Sequence, residues 1–280
     1  MKHRYSKYLF AYFPSNNDEN IYYAVSENGF DYTPVSQQPV ISADTVALKR
    51  GLRDPHLLRG HDGWFYLVAT DMRSADGWAS NRGLVMMKSR DLVNWKHSQV
   101  HFPTRYAGTS FANVTRVWAP ETIWDPEAGK YMVYFSLLTN DGTISYDKVY
   151  RAYANSDFTN LEGEPIWMYD RGSATIDMDI VYNPKDQLYH GFYKNEGEGG
   201  ICQVTAASLT GVWGNASGTL QQTNEAVEGA GVFQLLDGET WVLMYDCYNS
   251  GHYQFCTSTD LNTFTFRAPS IIQARIAGPA

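Results

Sequence analysis

The sequence predicts an all-β fold, a five-bladed β-propeller, because a four-strand pattern recurs along its 280 residues. Each repeat opens with an acidic residue beside a short apolar run and passes through a Gly- or Pro-marked turn into an aromatic-rich run. It ends at a Ser-containing turn that precedes another aromatic residue. Such runs between turn residues are strand signals, and about 40 to 50 residues for four strands is the period of propeller blades.

Four acidic residues mark the predicted inner strands and stand at matching places in successive repeats: Asp54, Glu121, Asp177 and Glu228. The Ser-containing turn follows these acids after 35, 35, 31 and 30 residues (54 to 89, 121 to 156, 177 to 208, 228 to 258). A propeller gathers its repeated units around one axis. We therefore expect the four carboxylates at the centre of the ring.

The second strand of each repeat is predicted from the aromatic-rich runs 64–67, 131–135, 189–193 and 241–245. The first repeat is incomplete, because 8–13 and 21–25 supply outer strands without an acid-bearing inner strand before them. The stretch from about Thr265 onward has no repeat of its own, and we expect it to supply that strand. This exchange would close the ring between the two terminal segments, leave few exposed sheet edges and make 1–280 a single catalytic domain.

The composition of the chain argues against some classes of function and favours others. The formal net charge is −8 and the basic residues are scattered, which argues against a nucleic-acid partner. No apolar run approaches transmembrane length, so no membrane partner is expected, and we expect a monomer. Aromatic residues make up 15% of the chain, which suggests contact with carbohydrate because sugar rings stack on aromatic faces.

The compartment stays open. The three cysteines have no metal-ligand spacing, and their odd number gives no disulfide framework. The apolar run after the basic N-terminus, 8–13, is too short for a signal peptide. A secreted or periplasmic protein with its signal removed and a cytoplasmic enzyme acting on imported oligosaccharides are both compatible with the sequence.

The contexts of three acids point to acid–base chemistry. Asp54 precedes Pro55, which bars an ordinary ladder donor and suits the start of a strand at the axis. Alternation puts Asp177 and Asp179 on one face, and we expect one of the two to face water or a neighbouring loop. Glu228 has apolar neighbours, which disfavour its charged form and raise its pKa toward the range of a general acid.

Three carboxylates around one pocket fit glycoside hydrolysis, in which one carboxyl protonates the leaving oxygen and another activates water. A third carboxylate can hold the pKa of the acid up through like-charge repulsion. Glu121 is expected in a supporting role. Its neighbour Trp118 offers either a stacking platform for a sugar or packing between blades.

The motifs in this order and spacing resemble those of glycoside hydrolase family 43, and the resemblance covers essentially the whole chain. They are Arg53-Asp54-Pro55, Trp118-Ala119-Pro120-Glu121, Ile176-Asp177 and Val227-Glu228-Gly229. The resemblance implies a five-bladed propeller that acts on arabinose- and xylose-containing glycans with inversion of configuration. It also implies that Asp54 is the general base, Asp177 tunes the pKa of the acid, and Glu228 is the general acid. An inverting pair of carboxyls stands roughly 6.5–9.5 Å apart.

Further residues are expected to contact the substrate. They are Arg53, His56, Trp78, Trp118, Glu121 and Lys194, and Asp246 and Tyr248 are additional pocket candidates. The insertion 73–82, which carries Trp78, and the loop 102–116, which carries Tyr106 and Phe111, are expected to wall the pocket and favour exo action on a terminal sugar.

No cofactor is expected. Members of the family commonly place a His from the last blade near the axis, sometimes with a bound calcium. Here the corresponding ending, 273–280, contains no His, which argues against a central calcium and predicts no metal ligands.

The sequence favours an exo-acting α-L-arabinofuranosidase and leaves alternatives open. A β-xylosidase or endo-arabinanase of the same family would use the same acids. A phosphorylase would need a basic pocket for phosphate. A retaining fructan hydrolase would need Asn-Asp-Pro and Glu-Cys motifs, which are absent. A non-catalytic sugar-binding propeller would show near-equivalent sites in all blades, whereas the inner strands of this chain differ from one another.

Overall fold

The computed structural model describes residues 6–267, which form five antiparallel sheets. The sheets follow one another along the chain and pack side by side around an axis, so the predicted five-bladed β-propeller is confirmed. We number the sheets as blades 1 to 5 in chain order.

The strands of each blade pair in sequence order from the axis outward. Blade 1 contains β1 (Tyr8–Tyr12), β2 (Tyr22–Ser26) and β3 (Thr33–Pro34). Blade 2 contains β4 (Leu52–Arg59), β5 (Phe65–Asp71), β6 (Gly83–Ser89) and β7 (Trp95–His101). Blade 3 contains β8 (Val114–Asp125), β9 (Lys130–Thr139), β10 (Lys148–Ala154) and β11 (Leu161–Tyr169).

Blade 4 contains β12 (Thr175–Asn183), β13 (Leu188–Asn195) and β14 (Gly200–Ala206). Blade 5 contains β15 (Glu228–Gln234), β16 (Trp241–Cys247), β17 (His252–Ser258) and β18 (Thr265–Arg267). Two one-turn α-helices lie between strands, α1 (Ala43–Val46) and α2 (Phe102–Arg105), and two short 3₁₀ segments cover Ser74–Asp76 and Ser110–Asn113. No helix in residues 6–267 has the length and apolar character needed to cross a membrane.

The repeated turn after the third strand has a common hydrogen-bond pattern. The hydroxyl oxygens of Ser26, Ser89 and Ser258 each accept the backbone N–H groups two and three residues ahead. This places β2 at the same position in its blade as β6 and β17. The described part of blade 1 therefore holds its second, third and fourth strands, of which the sequence predicted the first two.

Within residues 6–267, an apolar cluster fills each of the five junctions between neighbouring blades. Phe135 and Val68 belong to the cluster between blades 2 and 3, and Phe192 and Leu243 to the one between blades 4 and 5. The cluster that includes Phe30 joins blade 5 to blade 1. Burial of large apolar side chains at about 25 cal/mol per Å² is the main stabilising term at such junctions.

Ring closure differs from the predicted strand exchange. Thr265–Arg267 pairs with β17 as the outermost strand of blade 5 and supplies no strand to blade 1. Blade 1 instead packs its side chains on blade 5. Tyr8 lies 5.7 Å from Phe233 between ring centres, and its hydroxyl accepts the N–H of Leu236. The remainder of the predicted closing segment lies outside the described residues.

A bulge interrupts the inner strand of blades 2 to 5 at the same point. The bulged residues have positive φ angles: Asp54 (50°), Ala119 (44°), Asp177 (53°) and Gly229 (63°). A positive φ is uncommon for residues other than glycine and persists only where the surroundings impose it. The bulge gives an exact alignment of the four repeats.

This alignment corrects the predicted register of the four acids. Asp54 and Asp177 do occupy matching positions, but Glu228 stands one residue before the bulge and Glu121 two residues after it. Glu228 therefore matches Arg53, whereas Glu121 matches His56 and Asp179. The sequence placed all four acids at the centre correctly but could not reveal that they occupy three different positions of the inner strand.

We predict that Gly51→Ala destabilises the protein, because an added Cβ would lie inside the backbone of Met72. The carbonyl of Gly51 also accepts the N–H of Met72, so the two strand ends cannot move apart freely. Overpacking of this kind costs about 1–3 kcal/mol. Chemical denaturation measures the change, with Gly218→Ala as the control because a Cβ there meets no atom of the described residues within 4 Å. Equal stability of the two variants would contradict the prediction.

Candidate active site

Asp54 is held at the axis end of blade 2 by the bulge in β4. Its Oδ2 accepts a hydrogen bond of 2.7 Å from the hydroxyl of Thr70 on β5. The same Thr70 hydroxyl oxygen accepts the N–H of Ala119, at the bulge of the next blade, at 2.9 Å. Asp54 is thus oriented by a side chain that also ties blade 2 to blade 3.

Asp177 occupies the same bulge position in blade 4 and reaches across to blade 5. Its Oδ2 accepts the N–H of Gly229 at 3.0 Å, which places this carboxyl beside Glu228. Burial raises the pKa of Asp177 well above its ordinary value, and the negative charges of Glu228 and Asp54 add to the effect. Three carboxyls from blades 2, 4 and 5 therefore share one electrostatic environment.

Glu228 begins β15 and has the electrostatic character of a proton donor. Burial raises its pKa to about 7, and the charges of Asp246 and Asp54 contribute in the same direction. The positive charge of Lys194 acts in the opposite direction. The apolar context of Glu228 in the sequence predicted this upward shift of the pKa.

A second polar group lies at the centre of the ring, two residues further along the inner strands. It consists of His56, Glu121 and Asp179, whose ligand-type atoms all lie within 4.8 Å of one another. His56 Nδ1 lies 3.3 Å from Glu121 Oε2, and the two carboxyls are hydrogen-bonded to each other. We call these three residues the axial cluster.

Three hydrogen bonds connect the axial cluster to the blades, one of them through Tyr134. The hydroxyl of Tyr134 donates to Glu121 Oε2 at 2.8 Å and accepts the N–H of Ile180 at 3.1 Å. Asp179 Oδ2 accepts the N–H of Val232 at 2.5 Å. These contacts join blades 3, 4 and 5 at their inner strands.

Burial decides the protonation of the axial cluster. It raises the pKa of Glu121 to about 8, raises that of Asp179 well above its ordinary value, and lowers that of His56. At neutral pH the cluster therefore favours neutral forms, in which a carboxyl proton can be shared between Glu121 and Asp179. Asp179 is buried, whereas Asp177 is half-buried and turns its carboxyl toward Gly229 of the neighbouring blade.

Two groups within residues 6–267 could present metal ligands, the axial cluster and Glu225 with Cys247 and His252 on blade 5. A cation in the axial cluster would have to displace the protons that burial favours there. A histidine does reach the centre of the ring, but it is His56 from blade 2 rather than a residue of the last blade. The segment 273–280, from which the absence of a calcium was predicted, lies outside the described residues.

Two aromatic rings lie beside the guanidinium of Arg53. Its guanidinium lies 4.5 Å from the ring centre of Phe13 and 5.1 Å from that of Trp78, and Nη1 bonds to Glu19 at 2.9 Å. Trp78 is 51% exposed and stands edge-on to Trp118, with 6.3 Å between ring centres. The structure thus brings three of the predicted substrate contacts together, while Arg53 already uses part of its donor capacity within the protein.

Lys194 and two aromatic residues of the loop 102–116 contact other parts of the protein. Lys194 is only 3% exposed, and its ammonium donates to the carbonyl of Val227 at 2.5 Å, beside the acid Glu228. Tyr106 does not wall the pocket as expected from its loop, because it is buried in the apolar cluster between blades 2 and 3, and the partly buried Phe111 packs against the same cluster.

We predict that Tyr134→Phe destabilises the fold, because it removes the donor to Glu121 and leaves the N–H of Ile180 without its acceptor. A buried polar group left unpaired costs about 1–3 kcal/mol. The control is Tyr189→Phe, because the hydroxyl of this buried tyrosine makes no hydrogen bond within residues 6–267. Chemical denaturation of both variants measures the change in the free energy of unfolding. Equal changes for the two substitutions would refute the role of Tyr134.

Known proteins resemble this chain in both sequence and fold. An α-L-arabinofuranosidase of Bifidobacterium longum subsp. longum is 32% identical over 212 residues, which is 65% of this chain and 19% of that protein. The chain thus spans about a fifth of the length of this curated relative.

Two solved structures share the fold at low sequence identity. An exo-1,5-α-L-arabinanase from a bovine ruminal metagenomic library superposes with a TM-score of 0.64 at 13% identity, covering 96% of this chain and 95% of that one. An endo-1,4-β-xylanase from Bacteroides thetaiotaomicron superposes with a TM-score of 0.63 at 13% identity, covering 96% and 92%.

The family match spans nearly the whole chain. The profile of the family described as "Probable glycosyl hydrolase domain", which is related to glycoside hydrolase family 43, matches residues 3–276. Together with the bulged inner strands that bring Asp54, Asp177 and Glu228 to one site, this match establishes that the chain belongs to the family 43 group of glycoside hydrolases.

Proposed function

We propose that this chain is an inverting glycosidase, and that its substrate is a terminal α-L-arabinofuranosyl residue of a plant glycan. The observation that carries the proposal is the set of three carboxyls from blades 2, 4 and 5, in which Glu228 has a pKa of about 7. An acid with a pKa near neutral retains its proton at working pH and can still release it.

In this proposal Glu228 protonates the oxygen of the glycosidic bond as that bond breaks. Asp54, oriented by Thr70, removes a proton from a water molecule that attacks the anomeric carbon from the opposite face. Attack from that face inverts the configuration of the sugar. The proton that Asp54 has gained and the proton that Glu228 has lost are then exchanged with solvent.

Asp177 supports the acid in two ways. Its hydrogen bond from the N–H of Gly229 fixes the backbone next to Glu228. Its negative charge, when present, opposes ionisation of Glu228, which keeps the acid protonated. A carboxyl placed between base and acid in this manner needs no direct contact with the sugar.

The choice of arabinose rests on the relative from Bifidobacterium longum, which is named an α-L-arabinofuranosidase. The exposed ring of Trp78 and the ring of Trp118 offer faces on which a sugar can stack. A β-xylosidase and an endo-arabinanase would use the same three carboxyls, so the substrate must be decided by assay.

We predict release of nitrophenol from the α-L-arabinofuranoside in preference to the β-D-xyloside, with inverted product. Paired nitrophenyl substrates and NMR of the first-formed sugar measure both properties. Release from the xyloside alone would replace the proposed sugar, and a retained configuration would overturn the mechanism. Absence of turnover on both, and on arabinan and arabinoxylan, would remove the glycosidase proposal.

A second prediction separates the roles of acid and base. Glu228→Gln should lose activity mainly on substrates with poor leaving groups, because good leaving groups need little protonation. Asp54→Asn should lose activity on all substrates, by about 10²–10⁴-fold. Glu239→Gln, an exposed acid on the hairpin between β15 and β16, is the control. Equal losses for Glu228→Gln across leaving groups would reject its assignment.

The pH dependence follows from the same assignment. Glu228 must be protonated, so activity on a poor leaving group should fall as the pH rises through about 7, the pKa of this carboxyl. Glu228→Gln cannot ionise at this position and should lack that limb of the profile on a good leaving group. Profiles of kcat/KM from pH 4 to 9 test this, and a basic limb that persists in Glu228→Gln would contradict it.

A further inference from the structure

The hairpin between β16 and β17 brings a thiol and an imidazole together. Its register pairs Cys247, the last residue of β16, with His252, the first residue of β17. Directly paired residues point to the same face of a sheet, with Cβ atoms about 4.5–5.5 Å apart. The turn is tight, because the carbonyl of Cys247 accepts the N–H groups of Ser250 and Gly251. The backbone therefore fixes the two side chains beside each other.

Glu225 lies in the segment between β14 and β15 and directs its carboxyl toward the same hairpin. Its Oε1 lies 3.6 Å from His252 Nε2, and its Oε2 accepts a hydrogen bond from the hydroxyl of Ser250. The ligand-type atoms of Glu225, Cys247 and His252 all lie within 4.8 Å of one another. We call these three residues the hairpin cluster. It connects the segment that precedes Glu228 to the β16–β17 hairpin.

The amide nitrogen of Gln254 marks the point at which two acceptors of the hairpin cluster converge. It lies 3.3 Å from Glu225 Oε1 and 3.3 Å from His252 Nε2. An amide nitrogen can only donate, so both of these atoms present a lone pair to it. Both hydrogen bonds are longer than is usual for N–H donors, so the amide holds this position weakly. Converging lone pairs of this kind are what a metal cation binds.

The donor atoms of the hairpin cluster select the class of metal. Thiolate and imidazole ligands suit zinc, whereas calcium and magnesium prefer oxygen ligands. Zn²⁺ binds Cys sulfur at about 2.3 Å and His nitrogen or carboxylate oxygen at about 2.0–2.2 Å, which places the ligand atoms of a tetrahedral site roughly 3.3–3.8 Å apart. The 3.6 Å between Glu225 and His252 falls in this range. A side-chain movement on the order of 1 Å brings the thiol into it as well.

Charge and access also suit a divalent cation. A thiolate and a carboxylate carry two negative charges, which one Zn²⁺ neutralises while the proton of the thiol is released to solvent. Cys247 is buried, whereas the side chains of His252 and Glu225 are 34% and 35% exposed, so an ion can enter from their side. A pair of imidazole and carboxylate alone would account for two of the three residues but not for the thiol.

We propose that Glu225, Cys247 and His252 bind one Zn²⁺ ion, with a water molecule in the fourth position. The ion fastens the segment 222–227 to the β16–β17 hairpin. This site is separate from the three carboxyls proposed for catalysis, and it does not depend on the proposed glycosidase function. The segment that it fastens ends directly before Glu228, so bound zinc also holds the backbone that leads into that residue.

Cobalt provides a direct test of thiolate ligation, because a thiolate bound to Co²⁺ gives a charge-transfer band in the near ultraviolet. Protein freed of metal with a chelator should gain this band on addition of one equivalent of Co²⁺, and Cys247→Ser should lack it. Cys202→Ser is the matched control and should keep the band, because Cys202 is also buried and lies 3.9 Å from the carboxylate of Glu198. Absence of the band from the wild type, or its persistence in Cys247→Ser, would overturn the proposal.

Competition with a chromogenic chelator measures the Zn²⁺ affinity of further variants. Loss of a partner that only supports a metal ligand costs about 10–100-fold in affinity, so Ser250→Ala should weaken binding within that range. His252→Gln and Glu225→Gln each remove a ligand and should weaken it by about 100-fold or more. These variants test the site even if Cys247→Ser does not fold. Binding that is lost in Glu121→Gln and retained in His252→Gln would place the ion in the axial cluster and refute the proposed site.

A stability measurement tests the site without a spectroscopic probe. Zn²⁺ at about 100 times its Kd should raise the Tm of the wild type by roughly 5 °C, because the ion binds the folded protein more tightly than the unfolded chain. Mg²⁺ and Ca²⁺ at the same concentration should leave Tm unchanged, because a thiolate and an imidazole are poor ligands for them. No rise in the wild type, or an equal rise in Cys247→Ser, would contradict zinc binding by the hairpin cluster.

None of these measurements uses a glycoside. A protein that binds zinc through Cys247 and hydrolyses no glycoside would refute the proposed function and support the zinc site. A protein that hydrolyses glycosides and shows no cobalt band would refute the zinc site alone.

Discussion

The bulge in each inner strand is the constraint on which the centre of this protein depends. At the bulge the antiparallel ladder is interrupted and a residue with positive φ redirects the chain, at Asp54 and Asp177 among others. The interruption frees backbone N–H groups that would otherwise pair within the sheet. Side chains of the preceding blade accept these groups, as Thr70 does for Ala119 and Asp177 for Gly229. The same local feature therefore aims the carboxyls and joins neighbouring blades.

This geometry produces two sets of titratable groups, the axial cluster and the carboxyls around Glu228. Burial raises the pKa values of carboxyls in both sets, but the groups that surround these carboxyls differ. In the axial cluster the carboxyls of Glu121 and Asp179 bond to each other and to Tyr134 or a backbone N–H, so their protons are held in place. In the pocket, Glu228 meets the charges of other carboxyls and of Lys194, and its pKa stays near 7. The hydrogen bonds of the axial cluster connect the inner strands of blades 4 and 5 with Tyr134 of blade 3, whereas Glu228 lies beside the carboxyls of Asp54 and Asp177.

Much of the fold was predictable because strand and turn signals are local. The aromatic runs, the Ser-containing turns and the spacing of the acids predicted five blades, and the turns at Ser26, Ser89 and Ser258 are held by hydrogen bonds to N–H groups two and three residues ahead. The closing of the ring was not predictable in the same way, since it depends on Tyr8 meeting Phe233 across 225 positions of sequence numbering (8 to 233). The register of the acids could not be predicted either, because a bulge changes the face of the sheet to which a side chain points without changing the neighbouring residues in the sequence.

The sequence by itself determined the number of blades, the presence of acids on their inner strands and the upward shift expected for the pKa of Glu228, since all three follow from composition and spacing. Only the tertiary structure decided which acids share a pocket. It separated Glu121 from Asp54 and Asp177, buried Asp179 at the axis, and set Asp246 opposite Glu228. The physical reason is that strand register and blade packing are fixed by contacts between residues far apart in the chain. No single segment of the sequence contains both partners of such a contact.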